Sequence, residues 1–316
     1  MRDIVIVTPV YNDWPSFGML VAEISRVSAA HDLKIHMIAV NDGSLQAFQE
    51  RLPGPNQNIG SVKIVHLMRN LGHQRAIAMG LVVARETYPA FPIVVMDCDG
   101  EDQPVDIPRL LEEHDQAPAF IIFAQRARRS ESLVFRVFYF FFKSVFSALI
   151  GKKITFGNFC IIPSASLDRV VYLQEIWNHF AAGIMHSGMQ WMTIPTARGR
   201  RYAGKSQMNL VSLVLHGLSA ISVYVEVVYV RLLFLSFVVI ALDILSFLVL
   251  VYIRFFTPLA IPGWATNVAV GLTVVMFQAV LFLALLSFVV LSYRSTKMFI
   301  PALDFKDYLL KIENLV

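Results

Sequence analysis

Two long apolar stretches in the C-terminal half constrain the fold of this chain more than any other feature. Residues 232–250 contain one charged side chain, Asp243, and residues 268–291 contain none. A helix of about 20 residues crosses the roughly 30 Å hydrocarbon core of a bilayer, so both stretches are long enough to span it. The hydrophobic content of 56% also exceeds that of ordinary soluble chains. We therefore predict a transmembrane hairpin at 227–292, with spans at about 230–252 and 268–292.

The distribution of positive charge predicts the side of the membrane on which the chain ends lie. The loop between the spans has one basic residue, Arg254. The segment after the second span has four, namely Arg294, Lys297, Lys306 and Lys311. Because basic flanks stay in the cytosol, we expect a multi-pass protein of the cytoplasmic membrane with both termini cytosolic. The N-terminal apolar run is too short for a signal peptide.

The first 125 residues or so follow a different pattern. Short β-branched runs such as residues 3–10 and 92–97 alternate with helical segments such as 14–29 and 73–88. Continuous apolar strands flanked by helices indicate a mainly parallel sheet covered on both faces. The predicted fold class is therefore α/β, and a ligand is expected beyond the carboxyl ends of the strands.

These patterns divide the chain into four predicted parts. The first is a catalytic domain at 1–208, and the others are an amphipathic interfacial segment at 209–226, the hairpin, and a cytosolic tail at 293–316. Within the first part, residues 133–150 form an aromatic-rich helix in which Arg136 and Lys143 share one face. This favours a helix lying in the membrane interface, with a buried core helix as the alternative. We expect the membrane helices to mediate homo-oligomers. An ionised Asp243 would be costly in the first span, so it is either protonated, paired with a helix of another subunit or in contact with a lipid headgroup.

An acidic cluster follows the predicted strand at 92–97. Its four carboxylates are Asp97, Asp99, Glu101 and Asp102, within the stretch VVMDCDGEDQP. Like charges so close raise each other's pKa unless they are solvated or neutralised. Asp97 and Asp99 are two residues apart on an extended backbone and project to the same side, and such oxygen ligands suit Mg²⁺ or Mn²⁺. The alternative is a solvated acidic turn that caps the helix beginning near Val105.

Two further polar clusters end predicted strands. The stretch TPVYND ends the first strand, and VNDGS ends the second with Asp42 and Gly43. Asp42 can accept hydrogen bonds from a nucleobase or ribose, and Gly43 permits close backbone approach. Each stretch is equally compatible with a simple turn.

Basic residues are grouped in the stretches QRARRSES and TARGRRYAGKS. Arginine forks bind phosphate bidentately, whereas juxtamembrane positive charge is also attracted to anionic lipid. The net charge of +4 fits a membrane surface or phosphorylated substrates better than nucleic acid.

Taken together, the stretches TPVYN, VNDGS, RNLGHQRAIAMG, MDCDGEDQP, QRARR, GNFCIIP and RGRRYAGKSQMNLVSL resemble the family 2 glycosyltransferases of the polyprenyl-phosphate type. That group includes dolichyl-phosphate mannose synthases and undecaprenyl-phosphate sugar transferases. The resemblance implies a GT-A fold, a nucleotide-diphosphate sugar donor and a Mg²⁺ or Mn²⁺ ion. It also implies inverting transfer of the sugar to a polyprenyl phosphate at the cytosolic face of the bilayer.

The resemblance assigns residues to three roles. Binding of the nucleotide sugar falls to Thr8, Pro9, Tyr11, Asp42, Asn70 and Asp97. Metal binding falls to Asp97, Asp99 and Glu101. Orientation of the reactants and contact with phosphate, here grouped as catalytic, fall to Asp102, Arg126, Arg136, Arg198, Arg201 and Ser206.

The chain departs from the family pattern at several of these positions. Gly100 stands where relatives often have Leu, and Glu101 stands where they have Gln, so Glu101 either adds a third charge near the ion or faces water. Asn158 and Cys160 replace an Asp and an Arg, which puts a charge-dependent role there in doubt. The alternatives are a catalytically silent membrane scaffold that binds nucleotide sugar, and a transferase with a non-lipid glycan acceptor.

Overall fold

A computed structural model describes residues 1–49, 58–126, 147, 149–151, 155–203, 210–259, 261 and 263–315. The chain divides into two compact units. The first comprises Met1–Tyr139, Lys153–Val223 and Met298–Val316, and the second comprises Phe140–Lys152 and Tyr224–Lys297.

The first unit is built on a mixed sheet, which has eight strands within the described residues. The strands are β1 Arg2–Val10, β2 Leu33–Asn41, β3 Ile59–Leu67, β4 Ile93–Val95, β5 Ile121–Arg126, β6 Cys160–Ile162, β7 Trp191–Thr196 and β8 Leu309–Asn314. Their order in the sheet is β7-β5-β6-β4-β1-β2-β3-β8.

The pairing of these strands determines which chain segments meet at one edge. The pairs β1–β2, β1–β4, β2–β3 and β5–β7 are parallel, whereas β6 and β8 run antiparallel to their neighbours. The carboxyl ends of six strands therefore lie at the same edge as the amino ends of β6 and β8. The predicted mainly parallel α/β sheet is confirmed, and the segments before β6 and after β7 join the expected ligand edge.

Helices cover both faces of this sheet. They are α1 Trp14–Ala30, α2 His73–Thr87, α3 Ile107–Gln116, α4 Ser164–Val171 and α5 Phe180–His186, and the same unit also contains α6 Leu210–Ser222. Successive strand residues point to opposite faces, so Ile4 and Ile6 pack with α1 and α3, and Val5 and Val7 pack with α2. Burial on both faces explains why the strands read as continuous apolar runs.

The chain end belongs to the first unit, which differs from the predicted separate tail at 293–316. A short helix, α9 Pro301–Asp304, leads through the 3₁₀ turn Phe305–Tyr308 into β8, which pairs with β3. Phe299 stacks on Trp177 with ring centroids 3.8 Å apart. An edge strand has one covered side, and Leu310 and Ile312 stay 61% and 42% exposed, so its sequence pattern is weak.

The second unit is dominated by two helices of 32 residues each, α7 Val225–Phe256 and α8 Trp264–Ser295. Within the described residues these are the two helices long and apolar enough to cross a membrane. The Tyr229 hydroxyl lies 3.1 Å from Ser287 Oγ across the pair. Asp243 is 7% exposed and lines a cavity of about 250 Å³ together with Thr273.

The predicted interfacial segments are described in part. Helix α6 lies within the predicted segment 209–226, and its Leu215 and Leu218 side chains are exposed while Ala220 is buried. That exposed apolar face suits a bilayer surface. Most of the predicted interfacial helix at 133–150 lies outside the described residues.

Candidate active site

Residues 97–102, named here the acidic loop, follow β4 and are braced by their own backbone. Asp102 is 5% exposed, and its Oδ2 accepts a hydrogen bond from the Asp97 N–H at 3.0 Å. Asp99 Oδ1 accepts from the Glu101 N–H at 2.9 Å. Asp102 thus points inward and fixes the turn, and Asp97, Asp99 and Glu101 remain partly exposed.

Two arginines that follow β7 neutralise the acidic loop. Arg201 Nη1 lies 2.8 Å from Asp99 Oδ2, and Arg198 Nη2 lies 2.6 Å from Glu101 Oε1. Arg201 also approaches Asp13, with Nη2 3.8 Å from Oδ2. The counter-charge that the acidic cluster needs is therefore supplied by the protein itself. The Glu101 side chain is only 13% exposed, so it does not face water as one of the two predictions had it.

The arginines belong to residues 198–202, named here the arginine segment, which crosses the acidic loop at backbone distance. The Gly199 N–H donates to the Glu101 carbonyl at 2.9 Å, and the Tyr202 N–H donates to the Asp99 carbonyl at 2.8 Å. A Cβ on Gly199 would lie 2.0 Å from the Gly100 carbonyl oxygen. Gly100 has φ +87°, and a Cβ there would lie 2.9 Å from the Tyr202 ring. This crossing explains why glycine occupies position 100.

Tyr202 fastens the arginine segment to helix α1. Its hydroxyl donates to the Glu23 carboxylate, and burial followed by this bond raises the pKa of Tyr202. The phenol therefore stays protonated at neutral pH and remains a donor.

The opposite side of the site is organised around Asp42, after β2. Asp42 is 3% exposed, and its Oδ1 and Oδ2 accept from the N–H groups of Leu71 and Gly72 at 2.6 Å and 2.9 Å. Burial raises the pKa of Asp42, and these two N–H donors oppose the rise. Asp42 therefore ties the loop after β2 to the loop after β3, and its contact with the nucleoside stays a prediction.

Gly43 permits close approach, as predicted, but the approaching group is the chain itself. A Cβ on Gly43, whose φ is +70°, would lie 2.5 Å from the Asn70 backbone nitrogen. The loops after β2 and β3 thus pack backbone to backbone, which leaves no room for any side chain at position 43.

The other predicted nucleotide-binding residues differ in their access to solvent. Tyr11 is 43% exposed, and Asn70 is exposed as well. Pro9 is buried, and Thr8 is fully buried with no partner for Oγ1 in the part of the chain that the structure describes. Tyr11 and Asn70 are therefore the side chains of this group that a ligand reaches first.

His73 was assigned no role from the sequence, yet it lies at the centre of the site. It opens helix α2, and its Nε2 lies 3.3 Å from Asp97 Oδ1 and 3.0 Å from Asn158 Nδ2. Asn158, which stands where the family pattern has an acidic residue, therefore contacts His73, the residue that lies beside Asp97 of the acidic loop. Cys160 is fully buried in β6, and burial raises the pKa of its thiol, so no charge replaces the missing arginine. The signal available in the sequence is the position of His73 directly after Gly72, in the loop that follows the third strand.

The donor set of the acidic loop suits a divalent ion only in part. Asp97 and Asp99 supply hard oxygen atoms, and Mg²⁺ or Mn²⁺ commonly takes its remaining ligands from water and substrate phosphates. Among the described residues no three His, Cys, Asp or Glu side chains converge on a common point. Glu101 instead pairs with Arg198. The chemistry fits an ion held by Asp97 and Asp99.

Several predicted catalytic residues cannot be placed. Arg126 ends β5 at the ligand edge, but its side chain lies outside the described part of the structure, as do Arg136 and Ser206 entirely. The structure thus brings together Asp97, Asp99, Glu101, Arg198 and Arg201 of the predicted set.

Comparison with known proteins assigns this arrangement to a class of enzyme. The profile of the family described as "Glycosyl transferase family 2" matches residues 5–177, which is more than half of the chain. The matched region contains the acidic loop, Asp42 and His73. The chain belongs to glycosyl transferase family 2.

Several relatives are similar to this chain along different lengths. YkcC of Bacillus subtilis, an uncharacterised glycosyltransferase, is 24% identical over 89% of this chain and 85% of its own. Dodecaprenyl-phosphate galacturonate synthase of Rhizobium johnstonii is 28% identical over 42% of this chain and 38% of its own. Undecaprenyl-phosphate 4-deoxy-4-formamido-L-arabinose transferase of Aeromonas hydrophila is 31% identical over 47% of this chain and 42% of its own.

Among solved structures, mannosyl-3-phosphoglycerate synthase of Rubrobacter xylanophilus matches with a TM-score of 0.49 and 13% identity, over 71% of this chain and 73% of its own.

Proposed function

We propose that this family 2 glycosyltransferase is membrane-anchored and transfers a sugar, with inversion, from a nucleotide-diphosphate sugar to a polyprenyl phosphate at the cytosolic face. The observation that carries the proposal is the pairing of Arg198 and Arg201 with carboxylates at the ligand edge, in a chain with two helices of membrane-spanning length. Two relatives whose names specify a polyprenyl-phosphate acceptor support the same acceptor class.

The nucleophile of this reaction needs little activation. A phosphate monoester has a second pKa of about 6, so it is already an anion at neutral pH and needs no general base. It does need positive charge to hold it near the sugar's anomeric carbon. Arg198 and Arg201 supply that charge, and either guanidinium can exchange its carboxylate partner for a phosphate oxygen.

The leaving group of this reaction is a nucleoside diphosphate. Asp97 and Asp99 would hold a Mg²⁺ or Mn²⁺ ion, which when bound stabilises the negative charge on the departing diphosphate. Asp102 keeps the backbone of Asp97 in place, and the His73 ring lies beside the Asp97 carboxylate, with Nε2 3.3 Å from Oδ1. Held in this way, the acidic loop presents its carboxylates without reorganising during the reaction.

The course of the chain supports the proposed topology. Strand β8 follows the second long helix and pairs with β3, so the segments before and after the two helices belong to one folded unit. A hairpin that crosses the bilayer twice satisfies this constraint, and the basic flank of Arg294 and Lys297 favours the cytosol for that unit. Homo-oligomerisation through the two helices stays a prediction.

The test is transfer of labelled sugar into lipid. Membranes containing the protein are incubated with a panel of labelled nucleotide sugars, and the organic extract is assayed for sugar linked to lipid. We expect a labelled lipid with one donor, which is lost on chelation and in Asp99→Ala. Asp115→Asn, a surface carboxylate paired with Arg2, is the matched control and retains transfer.

The remaining outcomes separate the alternatives. Nucleotide binding without any labelled product identifies a silent scaffold. Labelling of a water-soluble glycan, with none in the lipid extract, identifies a non-lipid acceptor. Either result contradicts the proposed reaction.

A further inference from the structure

A chain of polar contacts runs from the last strand to the loops that follow β2 and β1. His66 Nε2 lies 3.3 Å from Glu313 Oε2 on β8, and His66 Nδ1 lies 3.1 Å from Asn41 Nδ2 at the end of β2. Asn41 Oδ1 accepts from the Ser44 N–H at 2.9 Å, and Ser44 Oγ accepts from the Asn12 N–H at 2.9 Å. Four segments, namely β8, β3, the end of β2 with its loop, and the loop after β1, are thus connected through five residues, by an ion-pair contact at Glu313 and by hydrogen bonds at the other three links.

The bond from the Ser44 N–H fixes the orientation of the Asn41 amide. Because Asn41 Oδ1 accepts from Ser44, the Asn41 amide nitrogen is the atom that faces His66. His66 Nδ1 must then be the acceptor, and the ring proton lies on Nε2, towards the Glu313 carboxylate. A change at Glu313 or His66 therefore alters the orientation of Asn41.

The far end of the chain holds an unusual backbone conformation. Asn12 has φ +51°, in the left-handed region that non-glycine residues rarely adopt. It is fixed from both sides, since its N–H donates to Ser44 Oγ and its Oδ1 accepts from the Leu45 N–H at 2.9 Å. Asn12 directly follows Tyr11, whose exposed ring belongs to the predicted nucleotide-binding residues.

The middle of the chain is shielded from water. Asn41 is 8% exposed and the His66 side chain 16% exposed, and Asn41 is the direct cross-strand partner of His66. Asn41 also precedes Asp42, which holds the loop after β3. The contacts therefore reach the loops after β1 and β2 and, through Asp42, the loop after β3, and these loops carry the predicted nucleotide-binding residues.

We propose that β8 positions the nucleotide-binding loops through the contacts Glu313–His66–Asn41–Ser44–Asn12, so that donor affinity depends on the strand that follows the membrane helices. The inference rests on the proposed function, because that function makes these loops the donor-nucleotide site. None of the five side chains is needed for contact with the reacting atoms, so they are positioning residues.

Protonation of His66 tests the same chain in the wild-type protein. The charged groups that face the ring are Lys311 and Glu313, both on β8. Burial, and then the charge of Lys311, lower the pKa of His66 from its usual 6.5. The folded state thus binds this proton less readily than the unfolded state, so the contribution of His66 to stability is complete above the unfolded pKa and lost as pH falls. A proton on Nδ1 would face the Asn41 amide N–H groups and break the chain.

The experiment measures nucleotide binding to the full-length enzyme in detergent. UDP and GDP, each with Mg²⁺, are titrated calorimetrically into wild type, His66→Leu, His66→Gln and Glu313→Ala. We expect about tenfold weaker binding for His66→Leu, because Asn41 loses its acceptor, and a few-fold loss for Glu313→Ala. Gln can accept from Asn41 and donate to Glu313, so His66→Gln retains affinity. Leu310→Ala, an exposed side chain of the same strand, is the control and binds as wild type.

Two further readouts distinguish positioning from a general loss of structure. Amide hydrogen exchange at Asn12 and Ser44 is expected to accelerate in His66→Leu, whereas the KM for polyprenyl phosphate stays unchanged. Lowering the pH from 7.5 to 5.5 is expected to weaken nucleotide binding more in wild type than in His66→Gln.

Equal affinity and equal exchange in wild type, His66→Leu and Glu313→Ala overturn the positioning role while sugar transfer to lipid remains intact. Absence of both nucleotide binding and lipid product in wild type contradicts the proposed function, and this inference falls with it.

Discussion

The two sides of the candidate site are held together by different forces. On the nucleotide side, Asp42 is buried and accepts two backbone N–H groups, and Gly43 packs against the backbone of Asn70. On the phosphate side, partly exposed arginines pair with carboxylates of the acidic loop. The buried N–H groups that bind Asp42 have no water to replace it, so breaking these bonds is costly. The arginines can exchange their carboxylate partners for charged groups of the substrate. The nucleotide side is therefore preformed, whereas the phosphate side can exchange its ion-pair partners when substrate binds.

The energetic difference follows from burial. Removing one partner of a buried hydrogen bond leaves a desolvated group and costs about 1–3 kcal/mol per group. A solvent-exposed ion pair contributes about 0–1 kcal/mol, and the Arg198 side chain is 40% exposed. Substitutions on the nucleotide side should therefore reduce stability, and those on the phosphate side should mainly reduce activity.

The largest effect is expected for Asp99→Ala. Asp99 is predicted to hold the metal ion and also pairs with Arg201, so its loss should lower transfer about 1,000-fold, which corresponds to about 4 kcal/mol of transition-state stabilisation. Initial rates of lipid-linked sugar formation measure this. If Asp99→Ala lowered the unfolding temperature as much as Asp42→Ala does, the two sides of the site would not differ in their contribution to stability.

Asp42→Ala should give the largest loss of stability. The N–H groups of Leu71 and Gly72 lose their acceptor in a buried place, which should cost about 2–4 kcal/mol. Thermal unfolding in detergent measures the change. Asp168→Ala, an exposed carboxylate paired with Arg85, is the control and should stay near wild type. Equal stability of the two variants would show that Asp42 does not brace the loops.

Gly199→Ala tests the crossing of the arginine segment over the acidic loop. The added Cβ would lie 2.0 Å from the Gly100 carbonyl oxygen, so the two segments must separate, at a cost of about 1–3 kcal/mol. Limited trypsin digestion should then cleave faster after Arg198, Arg200 or Arg201. Gly157→Ala, where nothing lies within 4 Å of the new Cβ, is the control. Digestion at the wild-type rate would show that the two segments cross without requiring a glycine at position 199.

Arg198→Gln should have the smallest effect on stability, no more than about 1 kcal/mol, because the Arg198 side chain is 40% exposed and water screens its ion pair with Glu101. Its activity should fall through a higher KM for polyprenyl phosphate, and the KM for the donor should change less. Steady-state kinetics with each substrate varied in turn measure the split. A larger change in the donor KM would assign Arg198 to the leaving group instead.

The fold was predictable to the extent that its signals are local. Continuous apolar strands and two long apolar stretches, with Asp243 as their one charged residue, indicate a covered parallel sheet and membrane-length helices without knowledge of any contact. Strand β8 was missed because an edge strand with one covered side needs no regular pattern. Its partner β3 lies more than 240 residues earlier in the chain, so no local signal connects them.

The site was predictable in its residues more than in their roles. The charges of Asp99, Glu101, Arg198 and Arg201 are evident in the sequence, but which carboxylate meets which arginine depends on the crossing of two glycines. Asp42 was assigned to ligand contact because its backbone partners lie about thirty residues away. The sequence does not assign His73 to the site, because a histidine at this position can simply begin a helix.

The central claim is that arginines at the ligand edge receive a lipid-borne phosphate. The most direct measurement compares polyprenyl phosphate with the same polyprenol lacking its phosphate, as acceptors for the purified enzyme with its donor and Mg²⁺. We expect sugar transfer to polyprenyl phosphate and none above background to the polyprenol. Equal transfer to both acceptors would contradict it.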